Sequence, residues 1–197
     1  MQEDKFEAII EQIVEKGFGV LDDFLTAEEV VDLNKSFAER YNNKLFKQAG
    51  ISKQHEVIKT IRGDEIFWLE KENADNTEKS FLDKLESFIE YVNYTCYLGI
   101  RSYEIHYASY PVGTFYKRHL DKFKSDSGRK LSFICYLNEN WQPEDGGQLA
   151  LYLENETLEI LPIGGRLVCF ESDKIEHEVL PTNRERKSIT GWLRNID

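Results

Sequence analysis

IHYASYPVGTFYKRHLD, residues 105–121 of the chain, contains two short strand-like runs separated by a turn. The runs Ile105–Tyr110 and Thr114–Leu120 are apolar or alternating, and Pro111-Val112-Gly113 between them is turn material. Short runs bounded by such turns are typical of β-strands, since helices need longer periodic segments. The stretch therefore predicts that this half of the chain is a β-structure.

The same pattern repeats through the rest of the C-terminal half. Further strand-like runs are Leu131–Leu137, Gln148–Leu153, Thr157–Leu161, Arg166–Phe170 and Ser188–Leu193. Glycine pairs at 146–147 and 164–165 mark turns between them. Because no helical pattern interrupts the runs, β-α-β units are disfavoured. We predict that residues 99–197 form an antiparallel jelly roll, or double-stranded β-helix, that carries the functional site.

The N-terminal half, residues 1–98, is expected to be mostly helical and to support this core. Apolar residues between Phe6 and Val14 recur at helical spacing, and Gly17 follows as a stop. A second helix should start at Thr26, which forms a capping-box pattern with Glu29, and a third should cover residues 76–94. Residues 19–25 indicate a short strand and a turn, and the polar stretch 42–60 a long loop or ribbon. The fold class is thus α+β, a jelly-roll core with N-terminal supporting helices.

Composition limits the cellular context and the partners. The 197 residues fit one domain, and no apolar run approaches the roughly 20 residues of a membrane span. A formal net charge of −11 disfavours nucleic acid as a partner, because such a protein repels phosphate. The acidic N-terminus does not resemble a signal peptide, and the three cysteines are odd in number and scattered. We therefore expect buried free thiols in a cytoplasmic protein.

A candidate metal site comes from two of the four histidines. His119 and Asp121 are two residues apart, so on a strand they point to one face while Leu120 points to the other. His177 follows the run 166–170, and a jelly roll brings such distant strands together. Two histidines and one carboxylate form a facial triad that leaves three metal positions open. These positions suit a keto acid plus dioxygen, with zinc hydrolysis as the competing interpretation.

A candidate anion site follows nine residues after His177. Arg186 heads the last strand, and its planar guanidinium suits a bidentate pair with a carboxylate. Thr190 and Trp192 alternate with Arg186 and should share its inward face. The Tyr136 hydroxyl is a candidate donor to the same carboxylate, although an ordinary core tyrosine is an equal alternative.

Taken together, the motifs resemble the Fe(II)/2-oxoglutarate-dependent oxygenase superfamily of the prolyl 4-hydroxylase type. Within it the chain is most similar to the hypoxia-inducible-factor prolyl hydroxylase branch and its bacterial relatives. The segments that carry the resemblance are Asp22–Leu25, Ile61–Trp68, Tyr110-Pro111, His119-x-Asp121, Tyr136–Trp141, Gly146–Leu149, His177-Glu178-Val179-x-Pro181 and Arg186-x-x-Ile189-Thr190-x-Trp192. They extend over nearly the whole chain, and their combination is more specific than any one of them.

The resemblance implies a role for each matching position. It implies that His119, Asp121 and His177 ligate Fe(II), and that Arg186 and Tyr136 bind the distal carboxylate of 2-oxoglutarate. Residues implied to line the pocket are Tyr110, Leu149, Val179, Thr190 and Trp192. A substrate-covering loop is implied over about residues 45–64, and Arg62, Asp64 and Arg129 match positions associated with substrate handling. Dioxygen as co-substrate and L-ascorbate as reductant are implied as well.

The resulting hypothesis is a dioxygenase that hydroxylates C4 of a prolyl residue and releases succinate and CO2. The partner would be a protein or peptide, with a translation elongation factor suggested by bacterial relatives, and the enzyme a monomer. Alternatives are a hydroxylase of free proline or another small molecule, and a non-catalytic jelly-roll binding module. A nucleic-acid demethylase is disfavoured, because Trp192 stands where those enzymes carry a second arginine. Asp121 argues against a halogenase, which needs that metal position vacant.

Overall fold

A computed structural model of the protein describes residues 2–50, 61–121 and 128–196. The helices in these ranges are α1 (Gln2–Lys16), α2 (Ala27–Asn42) and α3 (Asn76–Cys96), with one 3₁₀ turn at Pro143–Asp145. The strands are β1 (Phe18–Leu21), β2 (Lys47–Gln48), β3 (Glu65–Trp68), β4 (Ser102–Tyr110), β5 (Tyr116–His119), β6 (Arg129–Tyr136), β7 (Leu149–Tyr152), β8 (Thr157–Ile160), β9 (Leu167–Glu171), β10 (Glu176–Val179) and β11 (Arg186–Arg194). All three described helices lack the length or the apolar character that a bilayer span requires.

The predicted end of α1 and the predicted starts of α2 and α3 are confirmed, while α3 extends to Cys96 instead of ending at residue 94. Thr26 caps α2 through a capping box with Glu29, in which each side chain bonds the other residue's backbone N–H. The same arrangement at Asp75 and Glu78 starts α3. Gly17 ends α1 at φ +79°, a left-handed conformation that glycine adopts without steric cost. Local capping chemistry therefore fixes the ends of the supporting helices.

The strands form two antiparallel sheets, as expected for a jelly roll. The major sheet has seven described strands in the order β1-β9-β6-β11-β4-β3-β2. The minor sheet has four, in the order β5-β10-β7-β8. Neighbouring strands are far apart in sequence, as in the pairing of β11 with both β4 and β6. Residues from distant parts of the chain thereby meet between the sheets.

The strands of the major sheet alternate between two environments. Its helix face packs against the three helices in a continuous apolar cluster, to which the sheet contributes Ile105, Tyr107, Leu131, Phe133, Cys135, Leu167, Cys169, Ile189 and Leu193. Its cavity face points the other way, and Ile134, Tyr136, Val168 and Phe170 pack there against the minor sheet. The period of two along each strand thus separates a dry core from the inside of the jelly roll.

Two strands of the structure were not predicted from the sequence. β3 pairs with β4, and β10 lies between β5 and β7 in the minor sheet. The polar stretch 42–60 contains the short strand β2 at its start, while its residues 51–60 lie outside the described residues. Much of the predicted substrate loop therefore stays a prediction.

Candidate active site

The three predicted metal ligands meet at one end of the minor sheet. His119 ends β5 and His177 lies on β10, directly opposite it in the antiparallel register. Asp121 follows β5 by two residues, so it projects from just beyond the strand end. Its two carboxylate oxygens each lie 3.5 Å from the Nε2 atom of one histidine. One ligand atom from each residue falls within 4.8 Å of the others, a spacing that one metal ion can bridge.

Both histidines have the ring orientation that metal binding requires. Nδ1 of His119 lies 2.7 Å from the carbonyl oxygen of Lys117, and Nδ1 of His177 lies 3.3 Å from that of Ile175. A carbonyl only accepts, so each Nδ1 carries the proton and leaves the lone pair of Nε2 for a metal. Tyr116 stacks on the ring of His119 with centroids 3.7 Å apart, which holds that ring in place.

Asp121 is held by a buried pair of serines and by an arginine. Ser132 Oγ donates to Asp121 Oδ2 at 2.6 Å, and Ser172 Oγ lies 2.9 Å behind it. Arg129 Nη1 donates to the backbone carbonyl of Asp121 at 3.0 Å. These contacts fix the carboxylate so that Oδ1 faces His119 while Oδ2, the oxygen that Ser132 bonds, faces His177.

The electrostatics favour the charge states that bind a divalent cation. Burial lowers the pKa of His177 to about 4, although the Asp121 charge opposes this, so the ring is neutral at pH 7. Burial by itself would raise the pKa of Asp121. The neighbouring His177, His119 and Ser132 outweigh it and hold that pKa well below its usual range. Two imidazoles and one carboxylate are a donor set that Fe(II) accepts.

Arg186 lies at the other end of the same space and is 1% exposed. Its Nε donates to the carbonyl oxygen of Gly147 at 2.9 Å, and its guanidinium carbon lies 5.0 Å from the ring centres of both Tyr110 and Tyr136. A side chain at Gly147, whose φ is +66°, would place Cβ 3.0 Å from Arg186 Cδ. The glycine turn therefore makes room for the buried arginine.

Two buried donors at this end are unsatisfied. Nη2 of Arg186 and the hydroxyl of Tyr136 have no hydrogen-bond partner among the residues that the structure describes. A buried guanidinium without a counter-charge is costly, so such a group is typical of a site that binds an anion. A carboxylate matches both the charge and the fork of Arg186.

A single cavity joins the metal end to the anion end. Its lining residues are Arg62, His106, Tyr110, Tyr116, His119, Asp121, Ile134, Leu149, His177, Val179, Arg186, Ser188, Thr190 and Trp192. All five residues predicted to line the pocket are among them. Thr190 and Trp192 share the inward face of Arg186, as their spacing predicts.

The predicted substrate residues occupy different positions. Arg62 lines the cavity and pairs with Asp64, with Nη2 and Oδ2 2.5 Å apart, and its guanidinium lies over the ring of Tyr116. Arg129 contacts the cavity-lining Trp192, with its guanidinium carbon 3.3 Å from that ring centre, and its Nη2 lies 3.0 Å from a Glu104 oxygen. Its hydrogen bond to the backbone carbonyl of Asp121 supports the metal end of the cavity.

The segment that carries Arg62 runs along the free edge of β5. Gly63 N–H donates to the carbonyl oxygen of Phe115 at 3.0 Å, and Lys117 N–H donates to that of Ile61 at 2.9 Å. A Cβ atom at Gly63 would lie 2.8 Å from Thr114, so glycine permits this close approach. The cavity rim and the strand that ends at His119 are thus hydrogen-bonded neighbours.

Sequence reasoning did not single out the groups that surround these residues. Ser132 and Ser172 support Asp121, and His106 and Ser188 line the cavity. His106 lies on the same strand face as Tyr110, four residues away, so the period of two offered a signal for it. For Ser172 the sequence offers no such signal, because its contact depends on the pairing of β6 with β9.

Fold and site together define a class of protein. A jelly roll that presents two histidines and one carboxylate, with a buried arginine across the cavity, is the arrangement of non-haem Fe(II) oxygenases that use a keto acid.

Comparison with known proteins identifies the family within this class. Residues 105–194 match the model of the 2OG-Fe(II) oxygenase superfamily. The chain is 33% identical to a hypoxia-inducible factor prolyl hydroxylase of Caenorhabditis elegans, over 94% of this chain and 28% of that protein. It is 35% identical to the crystal structure of a Pseudomonas putida prolyl-4-hydroxylase, with a TM-score of 0.88, over 98% of this chain and 100% of that one.

A third similar protein is a prolyl hydroxylase of Trichoplax adhaerens, solved in complex with a hypoxia-inducible factor oxygen degradation domain peptide fragment. It is 30% identical, with a TM-score of 0.90, over 98% of this chain and 90% of that one. The chain belongs to the 2OG-Fe(II) oxygenase superfamily and groups with its prolyl hydroxylases. The family implies Fe(II), 2-oxoglutarate and O2, and the chain contains a His-Asp-His cluster that could hold a metal ion. The chain spans less than a third of the length of its C. elegans relative.

Proposed function

We propose that the protein is an Fe(II)- and 2-oxoglutarate-dependent dioxygenase that hydroxylates C4 of a prolyl residue in a protein or peptide. In this reaction one atom of O2 enters the substrate as a hydroxyl group and the other enters succinate, while the C1 carboxylate of 2-oxoglutarate leaves as CO2. The proposal covers the activity of this chain and the roles of its site residues.

The observation that carries the proposal is the unsatisfied buried Nη2 of Arg186, in the cavity that the metal triad also lines, with the unsatisfied hydroxyl-bearing ring of Tyr136 beside the guanidinium. Activation of a zinc-bound water does not by itself require a buried arginine in the same cavity. A keto diacid uses both ends of the cavity. Its keto acid group binds the metal, and its distal carboxylate pairs with the guanidinium of an arginine.

In this proposal each residue of the site has a defined role. His119, Asp121 and His177 hold Fe(II), and Arg186 with Tyr136 binds the distal carboxylate of 2-oxoglutarate. Bound together, the iron and the keto acid supply the oxidative chemistry that inserts oxygen into a C–H bond. Tyr110, Leu149, Val179, Thr190 and Trp192 form the wall that orients the keto acid and excludes bulk water. The protein thereby contributes geometry rather than proton transfer.

A peptide substrate is supported by the cavity rim and by the relatives. Arg62 and Asp64 form a nearly buried ion pair beside the cavity, and Arg62 offers further donors towards an approaching chain. The T. adhaerens relative was solved with a peptide fragment bound. We propose that Arg62, Asp64 and Arg129, together with the loop over about residues 45–64, handle the substrate. A translation elongation factor is the first candidate protein to test.

Several finer features belong to the same proposal. We propose that residues 1–197 act as a single catalytic domain, that the enzyme is a cytoplasmic monomer, and that L-ascorbate keeps its iron reduced. The helices pack on the sheet that carries the site, which supports one domain. The described cysteines are free thiols, which fits a reducing compartment. Analytical ultracentrifugation and ascorbate-dependence of turnover test the state of assembly and the reductant.

The decisive experiment combines two readouts on the same protein. Turnover of 2-oxoglutarate to succinate is measured with Fe(II), O2 and three substrates: proline-containing peptides, the same peptides with alanine for proline, and free proline. Mass spectrometry then locates one added oxygen atom. We expect both signals only with proline-containing peptides, and neither with His119→Ala. Asp22→Asn, which alters an exposed ion pair with Arg166, is the matched control and should keep full activity.

Other outcomes point to other functions. Hydroxylation of free proline but not of peptides would assign the enzyme to small-molecule chemistry. Absence of any iron-dependent succinate with a folded protein would leave the non-catalytic binding module as the better interpretation.

A further inference from the structure

His106 lies inside the cavity, although it is neither a predicted metal ligand nor part of the anion end. It occupies the cavity face of β4, opposite Thr190 of β11 and Trp68 of β3. The side chain is 2% exposed and lines the cavity that contains the metal triad. A histidine placed there adds a polar group to a wall that its neighbours Ala108 and Ile134 make apolar.

The ring of His106 is held between two tryptophans. Its centroid lies 4.7 Å from that of Trp68, at an interplanar angle of 62°, and 5.8 Å from that of Trp192, at 45°. These contacts restrict the ring without giving its Nδ1 atom a hydrogen-bond partner. Nδ1 is buried and has no hydrogen-bond partner among the described residues. Buried polar atoms in proteins are generally paired, so an exception inside a cavity indicates a partner that arrives with a ligand.

The charge state of His106 defines what that partner can be. Burial lowers its pKa to about 3, and the positive charge of Arg62 acts in the same direction. The ring is therefore neutral at physiological pH, with one N–H donor and one acceptor nitrogen. A neutral N–H suits a carboxylate oxygen or a water molecule, and it adds no charge that would compete with Arg186.

We propose that His106 is a further ligand-binding residue, whose imidazole hydrogen-bonds an oxygen atom of the group bound in the metal cavity. This inference rests on the proposed function, because the oxygen belongs either to a carboxylate of 2-oxoglutarate or to a water bound with the metal. In both cases an oxygen atom would hydrogen-bond the neutral imidazole of His106, which Trp68 and Trp192 hold in place.

The neighbouring residue provides a matched control. Tyr107 adjoins His106 on β4 but points to the helix face, and its hydroxyl is also buried without a partner among the described residues. Tyr107→Phe removes this hydroxyl on the opposite side of the sheet. We expect Tyr107→Phe to leave ligand binding unchanged, whereas a substitution of His106 should weaken it.

The experiment uses Mn(II) as the metal probe, so that no turnover occurs, and measures two dissociation constants by isothermal titration calorimetry. One is for Mn(II) alone, and the other is for 2-oxoglutarate with Mn(II) present. The variants are His106→Leu, which removes the hydrogen bond, and His106→Gln, which keeps an amide donor. A hydrogen bond to a charged oxygen contributes roughly tenfold or more to a dissociation constant. Circular dichroism checks that each variant is folded, and His106→Met replaces His106→Leu if that variant is not.

If the partner is a keto acid carboxylate, His106→Leu weakens 2-oxoglutarate binding about tenfold, His106→Gln restores it to within about threefold, and Mn(II) affinity stays constant. If the partner is a metal-bound water, the loss and its rescue occur in Mn(II) binding instead. Wild-type constants in a folded His106→Leu variant overturn the inference, as does a loss of equal size in Tyr107→Phe. Failure of the wild-type protein to bind 2-oxoglutarate would instead remove the proposed function, and the inference with it.

Discussion

The two faces of the major sheet are built from alternating residues of the same strands. Among the described residues, buried polar atoms without a hydrogen-bond partner are more frequent on the cavity face than on the helix face. On the helix face, Ile189 and Leu193 of β11 pack into a continuous apolar cluster. On the cavity face of the same strand, Arg186 and Ser188 each have a buried polar atom without a partner among the described residues. An exception on the helix face is the buried Tyr107 hydroxyl, whereas the unpaired atoms of Arg186 and Ser188 line the cavity of the proposed ligand site.

The difference shows how one sheet provides both stability and chemistry. A buried polar atom without a partner costs about 1–3 kcal/mol, so the cavity face lowers the stability of the ligand-free protein. Apolar burial on the helix face offsets this cost at positions only one residue away. The comparison predicts that substitutions on the two faces will affect different measurements, and the following experiments test that separation from the largest expected effect to the smallest.

The largest effect should come from the helix face. Phe133 is fully buried and contacts the rings of Phe24, Phe81 and Phe88. Phe133→Ala should lower the free energy of unfolding by about 3–5 kcal/mol, because it leaves a cavity in a close-packed core. Urea denaturation measures this change. The dissociation constant of 2-oxoglutarate for the folded, Mn(II)-loaded variant should stay within about twofold of wild type, and a parallel tenfold loss would contradict the separation of the faces.

Arg186→Met tests the cavity face at its anion end. Loss of the charge-assisted pair should raise the dissociation constant of 2-oxoglutarate roughly 30- to 100-fold, equivalent to about 2–3 kcal/mol. The free energy of unfolding of the ligand-free protein should change by less than about 1 kcal/mol, because the variant also removes an uncompensated buried charge. Arg184→Met, at a half-exposed arginine two residues earlier, is the control and should change neither value. Unaltered 2-oxoglutarate binding in Arg186→Met would disprove the assignment of the anion end.

Ser132→Ala tests the support of the metal end. Without the 2.6 Å hydrogen bond, both oxygens of Asp121 are free to rotate, and the affinity for Mn(II) should fall roughly tenfold to a hundredfold. Ser172→Ala, one bond further away, should give a smaller loss. Calorimetric titration with Mn(II) measures both. An equal loss in the two variants would show that the serines act only through packing.

The smallest effect concerns pH. The pKa of His106 is about 3 in the folded protein, below the ordinary value of about 6.5, so between these values only the unfolded chain binds the proton. Stability is therefore fully present above about pH 6.5 and falls as the pH decreases. The charges that act on His106 are Arg62 and Arg129, which lower its pKa, and Asp64 and Asp121, which raise it.

From pH 6.5 to pH 5 the wild-type protein should lose about 1–2 kcal/mol more unfolding free energy than His106→Leu, with both metal-free. Urea denaturation at the two pH values measures the difference. Identical pH slopes in the two proteins would mean that His106 is protonated or hydrated in the folded state.

The sequence was sufficient for the helices, most of the strands and the residues that meet at the site, because each leaves a local or spaced pattern. The capping box at Thr26 and the alternation of Arg186, Thr190 and Trp192 are of this kind. β10 was missed because three of its four residues are polar or charged. Its one apolar residue, Val179, shares the inner face with His177, while on the outer face Arg118 donates to Glu176 and Tyr152 donates to Glu178. One apolar residue in four gives no hydrophobic period.

The contacts around the site escaped prediction for a different reason. The bond from Ser132 to Asp121 and the packing of His106 between Trp68 and Trp192 depend on which strands are neighbours and in which register. Such pairing over long sequence separations leaves no trace in local spacing.

The segment at residues 61–63 closes an otherwise open sheet border, and this has a mechanical consequence. It hydrogen-bonds the rim of the cavity to the strand that ends at His119. We expect a polypeptide that docks against Arg62, as proposed, to affect the position of a proposed metal ligand. If docking changes the metal affinity by some factor, thermodynamic reciprocity requires metal binding to change the affinity for the polypeptide by the same factor.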